Sequence, residues 1–437
     1  MIYSAKRAVL LIVALLGMTS WVAAQTGYRP KNEMGEERFE IDAVDFRSDQ
    51  TGINSLDIYY KIFYDALSYQ KTDTGYVASY EVAIVIEGQG DTQLEGITRQ
   101  GHIKVDNYAE SRRSTDFIIN AIHTKYPDQD ITVRAILTDK LAGTSMEEKK
   151  DLKKRDYWGK YPDISRIEFA REVEPALGDS RFNKGDYRVI PNVSRLFGGD
   201  QDTLLDYYQE VYPGQKENKY ISVVSRIYHR AKGIIYADTM KIGDLDSVRH
   251  LVRQIDITDI SPGLYDLEIR VEGRRGKQLS NLIEPFELEL TAETIFRNDY
   301  ETAVKMLKYL ATSDENKKLE EAKTPEARRT AWDEFWRLRD DDPHDQVNPT
   351  KQEYFRRIRH ANRNFTLMKR EGWRTDRGRV YITFGEPDEV DDYPFELSSK
   401  PYQIWYYYRI NPARQFLFID EWGDGNFELQ PPYDGVY

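Results

Sequence analysis

Apolar positions along the chain change period once, and that change divides the molecule. In "SLDIYYKIFYD" the residues Leu56, Ile58, Tyr60, Ile62 and Tyr64 share one parity. "ASYEVAIVIEG" repeats the pattern with Tyr80, Val82, Ile84 and Ile86, and "DITVRAILTD" repeats it with Ile131, Val133, Ala135 and Leu137. Alternation with period two places such side chains on one face of a sheet. Several runs of this kind, divided by Gly-, Asp- and Asn-rich turns, predict an antiparallel sandwich. The charged stretch 143–163 interrupts the pattern. Alternation resumes in "ISVVSRIYHRAKGIIYADT" and in "LVRQIDITDISPGLYDLEIRVEG", where Tyr265, Leu267, Ile269 and Val271 follow a Pro262-Gly263 turn of type II composition.

From residue 291 the period becomes helical. Tyr300, Val304, Leu307 and Leu310 fall on one helical face, as do Ala331, Trp332, Phe335 and Trp336. Thr324 and Pro325 read as N-cap and first helical residue, with Pro343 as the stop. Thr350 and Glu353 read as a capping box for a third helix, which carries Tyr354, Ile358, Ala361 and Phe365 and ends at Gly372. An internal echo adds to the β part. "FIINAIHTKYPDQDITVRAILTD" and "LVRQIDITDISPGLYDLEIRVEG" share strand, Pro-containing corner and alternating strand, and the second resembles the late strands of immunoglobulin-like domains. The expected fold is mainly β and multidomain: two tandem immunoglobulin-like β-sandwiches over 38–150 and 151–290, a three-helix segment over 291–372, and a small C-terminal α/β module with an antiparallel meander over 373–437.

The N-terminus reads differently from all of this. Lys6 and Arg7 precede an apolar run, Ala8 to Met18, and "SWVAAQ" offers small residues for cleavage after Ala24. That is the layout of a signal peptide over 1–24, followed by a flexible lead-in over 25–37, with no integral membrane span expected after cleavage. The expectation is export to the periplasm or cell exterior. The sequence contains no Cys, which removes disulfides, thiol nucleophiles and thiolate metal sites. A net charge of −12 argues against non-specific binding to nucleic acid and against adhesion to anionic lipid, so the expected partner is neutral, cationic or met through a local patch. Tyrosine is abundant, at 31 residues, which suits strands and half-wet binding surfaces alike.

Recognisable chemistry is sparse. The six His show no metal-ligand spacing on a helix, "GQGDTQ" lacks the third Gly of a dinucleotide fingerprint, and neither a G-x-S-x-G elbow nor a P-loop is present. "DDDPHD" at 340–345 offers clustered oxygens for a divalent cation, but such a run also suits a solvated helix end. The basic face of "YFRRIRH" suits either an anionic partner or solvent. No cofactor and no metal site are expected.

The densest motif is "EGWRTDRGRVYITFGEPDEV", residues 371–390. Trp373 reads as cover for a junction, Thr375 and Asp376 as bonding nearby amides, and Gly378 as a positive-φ turn position. Val380, Ile382 and Phe384 read as a buried strand face, Gly385 and Pro387 as a second turn, and Asp388 as bonding the backbone just after it. Arg377 reads as pairing with a carboxylate of a neighbouring helix. Together with "WDEFWRLRDDDP", "YFRRIRHANRNF", "PYQIWYYYR" and "FIDEWGDGNFEL", the run Gly372, Trp373, Thr375, Asp376 resembles the GWxTD-domain proteins. The resemblance implies an exported bacterial protein of unestablished activity and supplies no catalytic residues. Two functional readings follow: a non-enzymatic binding or assembly protein meeting envelope or extracellular proteins or glycans, or a hydrolase, with carbohydrate as a candidate substrate, that uses carboxylates near Asp376 or Asp388.

Overall fold

A computed structural model describes residues 38–437, except 114, 200–202, 217–219, 230–231, 244, 341–347, 369, 394–399 and 437. The expected signal peptide and lead-in, Pro343, and the acidic run beyond Asp340 lie outside the described residues.

The first unit contains β1 (Phe39–Arg47), β2 (Ile53–Phe63), β3 (Gln70–Thr72), β4 (Gly75–Glu87), β5 (Gln93–Val105), a single-turn helix α1 (Tyr108–Ser111), β6 (Phe117–Pro127), β7 (Ile131–Asp139) and β8 (Ser145–Leu152). One sheet runs β1-β2-β6, and the other runs β3-β4-β7-β8 with β5 paired to β4. Strand β8 lies inside the charged stretch 143–163. The alternation read from sequence is the core: Leu56, Ile58 and Ile62 of one sheet face Val82, Ile84, Val133 and Leu137 of the other.

The second unit contains β9 (Asp163–Ile164), β10 (Glu168–Pro175), β11 (Asn183–Lys184), β12 (Tyr187–Pro191), β13 (Leu196–Phe197), β14 (Leu204–Tyr212), β15 (Tyr220–His229), β16 (Gly233–Gly243), β17 (Arg249–Asp256), β18 (Gly263–Glu272) and β19 (Gln278–Leu288). Its sheets run β11-β12-β10-β14-β17 and β13-β19-β18-β15-β16. The internal echo is topological: β6 to β7 and β17 to β18 each cross from one sheet to the other. At the second corner the Tyr265 hydroxyl donates to the Ser261 carbonyl at 2.6 Å, a tyrosine-corner bond of the immunoglobulin type.

The two sandwiches lie side by side. The outer face of β1-β2-β6 packs on the β10-β12-β14 sheet through Val44, Phe46, Tyr59, Ala170, Val189, Val193 and Tyr208. This interface also buries charge. Arg195 donates twice to Asp42 at 2.9 Å and once to Glu284 at 2.6 Å, while Arg166 reaches Asp45 at 2.9 Å and Glu284 at 3.2 Å. Lys184 pairs with Asp57 and, at 3.2 Å, with Glu168. Each buried charge thus meets its opposite, which is the condition for tolerating it away from water.

The C-terminal region is helical first. Helices α2 (Ala292–Asn298), α3 (Tyr300–Met306), α4 (Ser313–Glu321), α5 (Pro325–Arg337) and α6 (Pro349–Phe365) occupy the segment expected to hold three. Asp299 caps the expected first helix, its side chain bonding the Thr302 amide, but that helix gives way after Met306 to a 3-10 turn (Leu307–Tyr309), and Thr312 starts α4 by bonding the Glu315 amide. Thr324 caps α5 as read. Helix α6 begins earlier than the Thr350 capping box implied: Asn348 accepts from the Lys351 amide at 2.8 Å, with Pro349 at the first turn. After α6 come a 3-10 turn (Gly372–Arg374), α7 (Asp376–Phe384) and the meander β20 (Glu389–Tyr393), β21 (Tyr402–Tyr407), β22 (Arg414–Asp420) and β23 (Phe427–Leu429). A single core holding Trp332, Trp336, Trp373 and Trp405 runs through helices and meander together. Among the described residues no helix is long and apolar enough to cross a membrane.

Candidate functional site

The segment Val380–Phe384 is not a strand. It belongs to α7, and the reason is local. The Thr375 hydroxyl accepts from the Gly378 amide at 3.1 Å, which starts a helix, and Gly385 ends it at φ 86°. The β-branched residues that suggested a strand are buried because α7 is wedged between α6 on one side and the meander on the other, which hides Val380, Tyr381 and Ile382 alike. Tertiary packing overrides residue propensity here.

The two leading glycines have one physical cause. A β-carbon on Gly372 would lie 1.8 Å from the Ala361 carbonyl oxygen, and one on Gly378 would lie 1.9 Å from the Gly372 carbonyl oxygen. Three backbone segments, α6, the 3-10 turn and α7, therefore stack without room for side chains. Gly372 is a contact residue, not the stop of α6, which ends at Phe365; Gly378 is helical and has no positive φ.

The remaining signature residues lock this stack. Trp373 is 2% exposed; its amide donates to Asn362 Oδ1 at 3.0 Å, its indole to Glu371 at 3.0 Å, and its carbonyl accepts from Tyr309 at 2.8 Å. Thr375 Oγ1 also donates to the Gly372 carbonyl at 2.8 Å. Asp376 Oδ2 accepts from the Leu429 amide at 3.0 Å, which ties α7 to β23. Among the described residues Arg377 finds no carboxylate on a neighbouring helix; it lies between the rings of Phe365 and Phe427, at 5.0 and 4.3 Å, and donates to the Gly425 carbonyl at 3.2 Å. Burial lowers its pKa to about 10, against the opposing pull of Asp392 and Asp420.

Asp388 acts further along the chain than expected. It accepts from the amides of Tyr408 and Arg409, at 2.6 and 3.0 Å, and pairs with the Arg409 side chain, so it closes the end of β21. Burial opposes its charge, but these bonds hold its pKa below the usual carboxylate range. Asp376 is the first residue of α7 and ties it to β23, whereas Asp388 lies beyond the end of α7 and closes β21.

Sequence reading missed two features. One is Asp420, which accepts the amides of Trp422, Gly423, Asp424 and Gly425 at 2.8–3.3 Å and builds the "EWGDG" loop. The other is a cationic groove. Thr375 and Asp376 border an open cleft of about 450 Å³ walled by Lys308, Arg370, Arg374 and Arg379, and a second lobe of about 510 Å³ shares Lys308, Arg370 and Arg374. Its signal was four arginines within 370–379. The basic face of "YFRRIRH" is by contrast already matched: Arg356 and Arg357 bond Glu353, and Arg359 bonds Glu289; Arg363, one turn further on, bonds Glu287. Among the described residues no group of three or more His, Asp or Glu side chains is gathered as metal ligands.

Residues 294–430 match the GWxTD domain family, so the chain carries a GWxTD domain. No curated protein matches the sequence. Solved structures with partial similarity include a calcium-binding mutant of Bacteroides uniformis beta-glucuronidase 2, at 11% identity over 40% of this chain and 18% of that one, with a TM-score of 0.19. Parabacteroides merdae beta-glucuronidase aligns at 9% identity over 54% of this chain and 29% of that one, also at TM-score 0.19. This chain thus spans less than a third of the length of either enzyme.

Proposed function

We propose that this is an exported, non-enzymatic binding or assembly protein of the bacterial envelope or exterior, in which the paired sandwiches form a rigid base and the GWxTD domain presents the cationic groove. The observation that carries this reading is the occupation of the signature. Thr375, Asp376 and Asp388 each bond main-chain groups that hold elements together. The N-terminal composition, with its basic, apolar and small-residue regions, supports export. The partners we envisage are envelope or extracellular proteins or glycans.

A hydrolase has one observation in its favour, that Asp376 borders an open groove. Asp376→Asn and Asp388→Asn, made singly, separate the two readings. The binding reading expects no hydrolysis of a polysaccharide and aryl-glycoside panel by the parent protein, and a Tm lowered by roughly 2–4 °C in each variant. Hydrolysis by the parent that Asp376→Asn abolishes at unchanged Tm would establish the enzyme instead.

A further inference from the structure

The groove beside the signature gathers like charges. Lys308 extends from the turn after α3, its ammonium 4.4 Å from the ring centre of Tyr309 and 5.1 Å from that of Trp373. Arg370 donates to the Arg374 main-chain carbonyl at 2.6 Å, which holds its guanidinium against the turn that carries Arg374. Arg374 lies 4.7 Å over the Trp373 ring. Arg379 Nε is buried without a hydrogen-bond partner, and its Nη2 comes no closer than 4.0 Å to Asp376. Lys308 and Arg370 have no carboxylate partner among the described residues.

The acidic neighbours do not cancel this. Glu371 is shared between Arg374 and the Trp373 indole, both at 3.0 Å, and Asp376 spends one oxygen on the Leu429 amide. Glu320 faces only the further lobe, which Lys305 also lines. Burial, then repulsion from Arg374, Arg370 and Arg379, lowers the Lys308 pKa against the opposing pull of Asp376. Aromatic backing holds the cations in place, since rings attract cations without neutralising them.

We propose that this groove binds a phosphoryl group, a reading that rests on the binding role assigned above. A compact oxyanion carrying nearly two charges suits several converging cations, and guanidinium forks match its geometry. The net charge of −12 repels an extended polyanion, so the ligand presents a single anionic head. Tyr433, 62% exposed on the rim, offers a flat face to whatever carries the phosphate. A soluble sugar phosphate and a phospholipid headgroup share this chemistry.

Calorimetric titration of the full chain at low salt, with glucose 6-phosphate and separately with phosphatidic acid vesicles, tests the assignment. Saturable binding is expected, weakened at least tenfold by the double change Arg370→Ala with Arg374→Ala, and unchanged by Lys104→Gln in the first sandwich. Binding of the sugar phosphate alone identifies a soluble ligand; binding of the vesicles alone, with phosphatidylcholine inert, identifies a lipid. Should the double variant fail to fold, judged by circular dichroism, Lys308→Gln replaces it with the same expected loss. Absence of saturable binding to both probes overturns the proposal, as does binding that the groove variants leave intact. Equal affinity for glucuronate overturns the phosphoryl assignment. Release of phosphate from the bound sugar would overturn the non-enzymatic reading and leave the site standing, so the two failures are distinct.

Discussion

Charge concentrates in two places in this protein, and the two are built to opposite ends. At the inter-sandwich interface Arg195, Arg166 and Lys184 are buried, and each meets carboxylates from both sandwiches. At the GWxTD junction the buried layer is aromatic and backbone-bonded, Arg377 lies between two rings, and Lys308, Arg370, Arg374 and Arg379 border a groove with few matching carboxylates. Compensated charge fixes an orientation, whereas surplus charge beside an open cleft is available to something else. The histidines mark the same contrast. His123 at the interface bonds Asp57 at 2.6 Å, which raises its pKa despite partial burial. His360 at the junction stacks 3.9 Å from Tyr381, and burial lowers its pKa to about 3.

The largest break in this contrast comes from Arg195→Ala. It strands Asp42 and Glu284 as buried, less compensated anions, at an expected cost of about 3–5 kcal/mol in urea unfolding. A loss below 1 kcal/mol would show that water reaches the interface. Gly378→Ala tests the junction without touching charge: its methyl group meets the Gly372 carbonyl, and the expected loss is about 3 kcal/mol, followed by tryptophan fluorescence. Unchanged stability would mean that the stack of backbones is looser than the contact implies.

The pH dependence sharpens the comparison, because the signs differ. Below 6.5 the unfolded chain protonates His360 and the folded one does not until about pH 3, so junction stability falls with acidification, by about 2 kcal/mol at pH 5. His360→Phe should flatten that slope in unfolding curves collected from pH 7 to 4. His123 works the other way: its contribution is complete below 6.5 and is lost as pH rises through its raised folded value, so His123→Ala should cost more at pH 5 than at pH 8. The smallest stability effect is expected at the groove itself. Arg370→Ala should change unfolding by less than about 0.5 kcal/mol, since it removes no buried pair. A larger loss would assign Arg370 to the fold.

Much of the architecture was legible because strands covered on one face leave a period-two trace. Tyr80 to Ile86 and Tyr265 to Val271 are buried as their alternation implied, and the repeated corner marks equivalent crossings in both sandwiches. Alternation failed at Val380–Phe384, where burial on two sides removes the difference between a strand and a short helix. The caps at Thr375 and Gly385 were visible in the sequence and were the better guide.

The β-then-α division, the core faces, the Thr324 start of α5 and the presence of a GWxTD signature are all written in the chain, since each depends on residues close together along it. It took the folded arrangement to reveal that the sandwiches pack flank to flank, that Asp57, Lys184 and Arg195 are interior, and that Lys308 joins three arginines more than sixty residues away. The physical reason is the same in each case. A charged side chain reads as solvent-facing until a partner from a distant segment neutralises it or a neighbouring ring shelters it, and no local pattern records where that partner will come from.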